Sequence, residues 1–218
     1  MKKLIIWDFD GVIADTEKLW VSSRMELLNR DFNLGWSFET TNKHIGGRSE
    51  KDKKRILQNL GIEVKDSFWD EAMKLDLQKL QQGIALTPGI EDIFLMDSFD
   101  QCIATGGTMS KTKEKIKQVG IEKYFPTEKV FTADLVEYGK PEPDLFLLTA
   151  HTMDYKPEDC IVIEDSLAGL TAAQRAKMLT VAFVKYNSAE YVAEIKKTGV
   201  EHIFDDMAQV KKFILSNI

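Results

Sequence analysis

The stretch Leu4-Ile5-Ile6-Trp7-Asp8-Phe9-Asp10-Gly11 decides the fold of this chain. Leu4–Trp7 has none of the polar alternation of a strand with one wet face, so it reads as a strand buried on both faces of a parallel sheet. Two acids and a glycine then close it. Similar short apolar runs recur at Gln101–Thr105, Val130–Thr132, Cys160–Glu164, Leu179–Phe183 and His202–Phe204. Helical spacing separates them, at Ile90–Met96, Thr112–Val119, Leu145–Thr152, Leu167–Ala176, Ala189–Thr198 and Met207–Leu215. Strand alternating with helix predicts an α/β fold, a parallel sheet with helices on both faces. Functional sites in such sheets lie beyond the carboxyl ends of the strands.

Between Thr16 and Gln82 the rhythm changes. No β-rich run occurs, and Leu19–Phe32, Glu50–Leu60 and Phe68–Leu80 read as helices. Asp15-Thr16 marks the departure from the sheet, and Gly83 with the Thr87-Pro88-Gly89 turn marks the return. The predicted organisation is a core of residues 1–15 and 84–218 with a helical insertion, 16–83, placed as a lid. The 218 residues agree with this, being too many for one average domain of about 150 and too few for two.

Composition excludes several function classes. At 44% hydrophobic and 29% charged the chain can bury a sizeable core, which rules out wholesale disorder. Lys and Arg number 29 against 35 acids, a net charge of −6, which speaks against a broad nucleic-acid footprint. Cys102 and Cys160 each lie in an apolar stretch without a Cys/His cluster, so buried free thiols are expected rather than a disulfide framework or a zinc site. No apolar run approaches the roughly 18 residues of a membrane span, and a cytoplasmic protein, acting as a monomer without membrane or nucleic-acid partners, is expected.

Four strand ends carry the chemistry. Asp8 and Asp10, two apart on an extended segment, share a face at the mouth of the first strand. Like charges that close are costly unless a cation binds or one carboxyl stays protonated. Cys160–Glu164 ends in a second acidic pair, Glu164-Asp165, and Asp165 or Ser166 also suits the N-cap of the helix that follows. Four carboxylates at two strand ends make a hard, oxygen-rich site suited to Mg²⁺. Thr105-Gly106-Gly107-Thr108 offers a hydroxyl and exposed backbone N–H groups to an anion, yet matches no dinucleotide or P-loop pattern. Lys140, between Gly139 and Pro141, is a cation held in a stiff turn.

In this order and spacing, Asp8-Phe9-Asp10-Gly11-Val12-Ile13-Ala14-Asp15, Thr105, Gly139-Lys140-Pro141-Glu142-Pro143-Asp144 and Glu164-Asp165-Ser166 resemble the motif set of the haloacid dehalogenase-like hydrolases. The resemblance covers nearly the whole chain and is strongest to the subgroup of phosphoglycolate phosphatase and β-phosphoglucomutase. It implies a Rossmann-like core with a cap inserted after the first strand, and a Mg²⁺-dependent phosphatase acting on a small phosphorylated metabolite. It further implies Asp8 as the nucleophile that becomes an aspartyl phosphate, and Asp10 as acid and base. Thr105, the Gly106 N–H and Lys140 would hold the phosphoryl oxygens, and Asp8, the Asp10 carbonyl, Asp165 and Glu164 would surround the metal.

Three positions depart from the pattern. Trp20 stands where mutases of this subgroup carry a histidine, which favours hydrolysis over sugar-phosphate mutation. Lys177 stands where a glycine is common, and a strained, positive φ is expected there. Asn42–Ser49, Gly-rich and cationic, reads as a cap loop with His44 and Arg48 as substrate contacts, or as a polar hinge. A non-catalytic binding or regulatory protein with the same fold is the alternative from another class. Dehalogenation ranks last, because it needs no metal site.

Overall fold

The computed structural model describes residues 2–46 and 50–218, with the backbone alone at 50–52. Six strands, β1 (Leu4–Trp7), β2 (Asp100–Thr105), β3 (Val130–Thr132), β4 (Cys160–Glu164), β5 (Leu179–Phe183) and β6 (His202–Phe204), form one parallel sheet ordered β3-β2-β1-β4-β5-β6. β1 is central, and the chain order reverses on its two sides, which is where such sheets leave a crevice for ligands. Trp7 is in register with Ile103 of β2 and Ile163 of β4, so Asp8, Ala104 and Glu164 come level at the carboxyl ends.

Strand residues alternate between two cores. Ile5, Trp7, Ile103, Ile161 and Ile163 face a cluster that includes α5 (Glu91–Phe94), α6 (Met109–Gln118) and α10 (Met207–Leu215). Leu4, Ile6, Cys102, Cys160 and Val162 face α7 (Asp144–Thr152) and α8 (Leu167–Arg175). Cys102 and Cys160 are thus buried free thiols on one face. Helix α9 (Ala189–Lys197) packs Ile195 against Leu170 and Ala182. Among the described residues no helix is long and apolar enough to cross a membrane.

The chain divides into two compact units, residues 1–15 with 85–218, and residues 16–84. The second is all helix among its described residues: α1 (Glu17–Phe32), α2 (Phe38–Ile45), α3 (Glu50–Asn59) and α4 (Asp66–Leu80). It has its own core, in which Leu27 and Leu28 of α1 meet Ile45, Leu57, Phe68, Trp69 and Ala72. Helix α2 corrects the sequence reading, since Asn42–Ile45 is its last turn and not a loop. Ser37 starts it, its Oγ accepting a hydrogen bond from the Thr40 N–H, and burial of Thr41 and Ile45 holds it. His44 stacks on Trp36 with ring centroids 4.8 Å apart, while Arg48 lies outside the described residues. Two other helices shift: α5 is a single turn rather than Ile90–Met96, and α6 starts at Met109 rather than Thr112.

Lys177 has φ +58°. It follows α8 in a Schellman arrangement, with the Lys177 N–H bonded to the Gln174 carbonyl and the Met178 N–H to the Ala173 carbonyl. A side chain in this left-handed conformation is strained, so Lys177→Gly is expected to stabilise the protein by up to about 1 kcal/mol, the relief exceeding glycine's added unfolded-state entropy. Urea unfolding of the two proteins checks this, and lower stability of the glycine variant would contradict it.

Candidate active site

Asp8 continues β1 by one residue, its N–H donating to the Ile163 carbonyl at 2.9 Å, and its side chain is buried. Its Oδ1 accepts from Lys140 Nζ at 2.6 Å. The same ammonium donates to Glu164 Oε1 at 2.7 Å and to the Ala104 carbonyl at 3.1 Å. Its three N–H groups therefore tie the ends of β1, β2 and β4 together. The turn beginning at Gly139, closed by the Glu142 N–H on the Gly139 carbonyl, delivers Lys140 to this point just before α7.

Electrostatics follow from this crowding. Burial pushes the Asp8 carboxyl up to about 7, with the Glu164 and Asp10 charges pushing the same way and the Lys140 ammonium opposing them. Burial alone would lower the pKa of Lys140, but Asp8 and Glu164 outweigh it and hold the group above its usual value. Lys140 therefore stays charged, shared between two carboxylates, and the pocket keeps an excess of negative charge. A hard divalent cation is the partner such an excess suits.

The other predicted residues take distinct places. Glu164 is only 1% exposed and has both oxygens engaged, Oε1 by Lys140 and Oε2 by the N–H and hydroxyl of Ser166 at 2.7 and 2.9 Å. Glu164 thus anchors Lys140 and the start of α8 from the strand end where the sequence places it beside the metal. The helix cap is Ser166, whose Oγ accepts from the Gly169 N–H at 3.0 Å, and Asp165 is left facing the first motif. A Cβ on Gly11 would fall 2.1 Å from Asp165 Oδ2, and Gly11 has φ +78°, so both space and conformation require glycine. Among the described residues no three His, Cys, Asp or Glu side chains form a ready-made metal cluster. The oxygens of Asp8, Asp10, Glu164 and Asp165 are of the hard kind that a divalent cation takes.

Thr105 is buried at the end of β2, its Oγ1 3.4 Å from the Gly107 N–H, and Gly106 beside it is exposed with open space around its Cα. The Asp10 Oδ2 accepts from Lys115 Nζ at 2.6 Å. Sequence reasoning missed Lys115. Lys111, Lys113, Lys115 and Lys117 crowd α6 with charge on more than one side, and Thr112, Lys115 and Ile116 follow the spacing of a buried stripe. That spacing was the available signal.

Comparison with known proteins shows the family and the fold. The family model described as haloacid dehalogenase-like hydrolase matches residues 5–183. A phosphorylated carbohydrates phosphatase of Thermotoga maritima is 27% identical over 179 residues, 79% of this chain and 80% of the relative. The fructose-1-phosphate phosphatase YqaB of Escherichia coli is 28% identical over 182 residues, 80% of this chain and 92% of the relative. Among solved structures, a haloacid dehalogenase-like protein of unknown function from Agrobacterium tumefaciens superposes with TM-score 0.88 at 24% identity, covering 99% of both chains. A hydrolase from Deinococcus radiodurans, solved with phosphate and sodium, superposes with TM-score 0.81 at 18% identity, covering 96% of this chain and 93% of the other.

Proposed function

Because the chain belongs to the haloacid dehalogenase-like hydrolases, we propose that it is a Mg²⁺-dependent phosphatase of small phosphorylated metabolites, sugar phosphates foremost. The observation that carries this reading is the buried Asp8 carboxylate at the sheet's switch point, 2.6 Å from an ammonium that also binds Glu164. The names of the relatives, a phosphorylated carbohydrates phosphatase and a fructose-1-phosphate phosphatase, support the substrate class.

In this reading Asp8 attacks phosphorus in line, and the ester oxygen leaves as the acyl phosphate forms on the carboxylate. Asp10 gives a proton to the departing oxygen and later takes one from the water that hydrolyses the acyl phosphate, a role worth about 10²–10⁴-fold. Thr105 and the Gly106 N–H hold the phosphoryl oxygens, and Lys140 offsets their charge from a fixed position. Asp8, the Asp10 carbonyl and Asp165 would hold the cation, which would neutralise phosphoryl charge. Residues 16–84, inserted directly after the first motif, are assigned the role of a cap in which substrate choice resides.

A panel of phosphorylated metabolites assayed with MgCl₂ and with EDTA tests the proposal. The expected result is release of inorganic phosphate from one or more sugar phosphates, lost in EDTA and restored by Mg²⁺. Absence of hydrolysis across the panel, with tight binding of a phosphorylated ligand, would favour a non-catalytic role. Conversion of one sugar-phosphate isomer to another without phosphate release would favour a mutase.

A further inference from the structure

We infer that Lys115 is a positioning residue for the Asp10 carboxylate, an inference that rests on the phosphatase reading above. Lys115 lies in the middle of α6 with its side chain 4% exposed, and Asp10 is the carboxylate within ion-pair distance of it among the described residues. Its ammonium also stands 4.5 Å from the centre of the Phe9 ring, a cation–π contact with the residue between the two motif aspartates. A buried ammonium is costly, and an apolar side chain of the same length would fill the slot without that cost. The charge is accounted for by the carboxylate that it meets.

The neighbourhood places this pair on the phosphoryl side of the sheet. A Cβ on Gly107 would fall 3.2 Å from Thr112 Oγ1 and 3.9 Å from both Lys115 Nζ and Thr105 Oγ1. The inward stripe of α6 therefore reaches the turn that follows Thr105. Thr112 Oγ1 is buried on this stripe without a hydrogen-bond partner, so the polar character of the face extends beyond the ion pair. Asp10 itself lies in the bridged turn after β1 with a side chain 36% exposed. Lys115 holds it by Oδ2 against the Phe9 face, which fixes the direction from which the carboxyl meets the ester oxygen. Proton transfer depends on that direction, because the donor must be within hydrogen-bond reach of the leaving oxygen.

The test compares Lys115→Met, which keeps the length and removes the charge, with the wild type on two esters in Mg²⁺. One is p-nitrophenyl phosphate, whose leaving group needs little protonation, and the other is the aliphatic ester from the metabolite panel that the wild type hydrolyses fastest. The expected kcat/KM falls about 10–100-fold for the aliphatic ester, part of the roughly 10²–10⁴-fold that general acid catalysis contributes, and less than about threefold for p-nitrophenyl phosphate. Inhibition by inorganic phosphate stays as in the wild type, and Lys115→Arg restores most of the loss. In an Asp10→Asn background, Lys115→Met costs nothing further.

Equal losses on both esters would overturn the inference and make Lys115 structural. Weakened inhibition by phosphate would also overturn it, by making Lys115 a substrate contact. Should the methionine variant fail to fold, Lys115→Gln carries the same comparison. A wild type inactive on every ester would remove the phosphatase reading and this inference together, whereas an active wild type with an unaltered variant removes this inference alone.

Discussion

Asp8→Asn is expected to abolish turnover of every ester, by at least about 10⁴-fold as for other enzymes stripped of their nucleophile, while the protein stays folded. The amide cannot attack phosphorus, and it keeps the shape that packs beside Lys140. A second effect separates this variant from simple damage. The wild-type carboxyl titrates near 7 in the fold against 3.8 for an ordinary aspartate, because burial disfavours the ion. Between those two values the folded state binds more protons than the unfolded chain, so this group's contribution is lost as pH rises through the window. Asparagine has no proton to lose. In EDTA the variant should therefore melt above the wild type at pH 8, with the gap shrinking towards pH 5. A variant that melts lower than the wild type at pH 8, or a gap independent of pH, would contradict the burial argument.

Gly169→Ala is expected to cost roughly 2–4 kcal/mol of stability and most of the activity, although alanine improves the helix by up to about 1 kcal/mol. The added Cβ would fall 1.8 Å from Glu164 Oε1 and 2.0 Å from its Cδ. A flexible exposed carboxylate would turn away at small cost. Glu164 is buried, with Lys140 on one oxygen and Ser166 on the other, so any shift breaks a buried ion pair, a loss of about 3–5 kcal/mol. Lys140 would keep Asp8 but lose its second anchor, which degrades the fixed charge at the reacting phosphoryl group. Urea unfolding and phosphate release measure the two effects. Wild-type stability in this variant would show that Glu164 is free to move and that the strand-end clamp described above is wrong.

The core was legible because its strands are buried on both faces. Leu4–Trp7 and Cys160–Glu164 carry no polar alternation, and each ends in acids whose position at the carboxyl edge follows from the parallel topology. Lys177 was legible as a departure, and its positive φ follows from a helix end whose hydrogen bonds need that backbone shape. What escaped depends on tertiary contacts. Helix α2 contains Thr40, Thr41 and Asn42, weak helix formers, and it exists through the Ser37 cap and the burial of Ile45, so its sequence resembles a loop. The contacts of Glu164 with Ser166 and Lys140 likewise form only in the fold, and no spacing in the sequence announces them. Lys115 is hidden among neighbouring lysines, since net charge along a helix says nothing about which of them turns inward.

The central claim is that Asp8 carries the phosphoryl group. Asp10→Asn should slow hydrolysis of the acyl phosphate enough for it to accumulate when the variant is mixed with p-nitrophenyl phosphate and Mg²⁺, because that ester needs little help in leaving. Acid quenching, digestion and mass spectrometry would then locate the label. The account predicts a peptide heavier by one phosphoryl group, with the group on Asp8, absent when EDTA replaces Mg²⁺. A phosphoryl group on any other residue, or turnover that survives in Asp8→Asn, would contradict it.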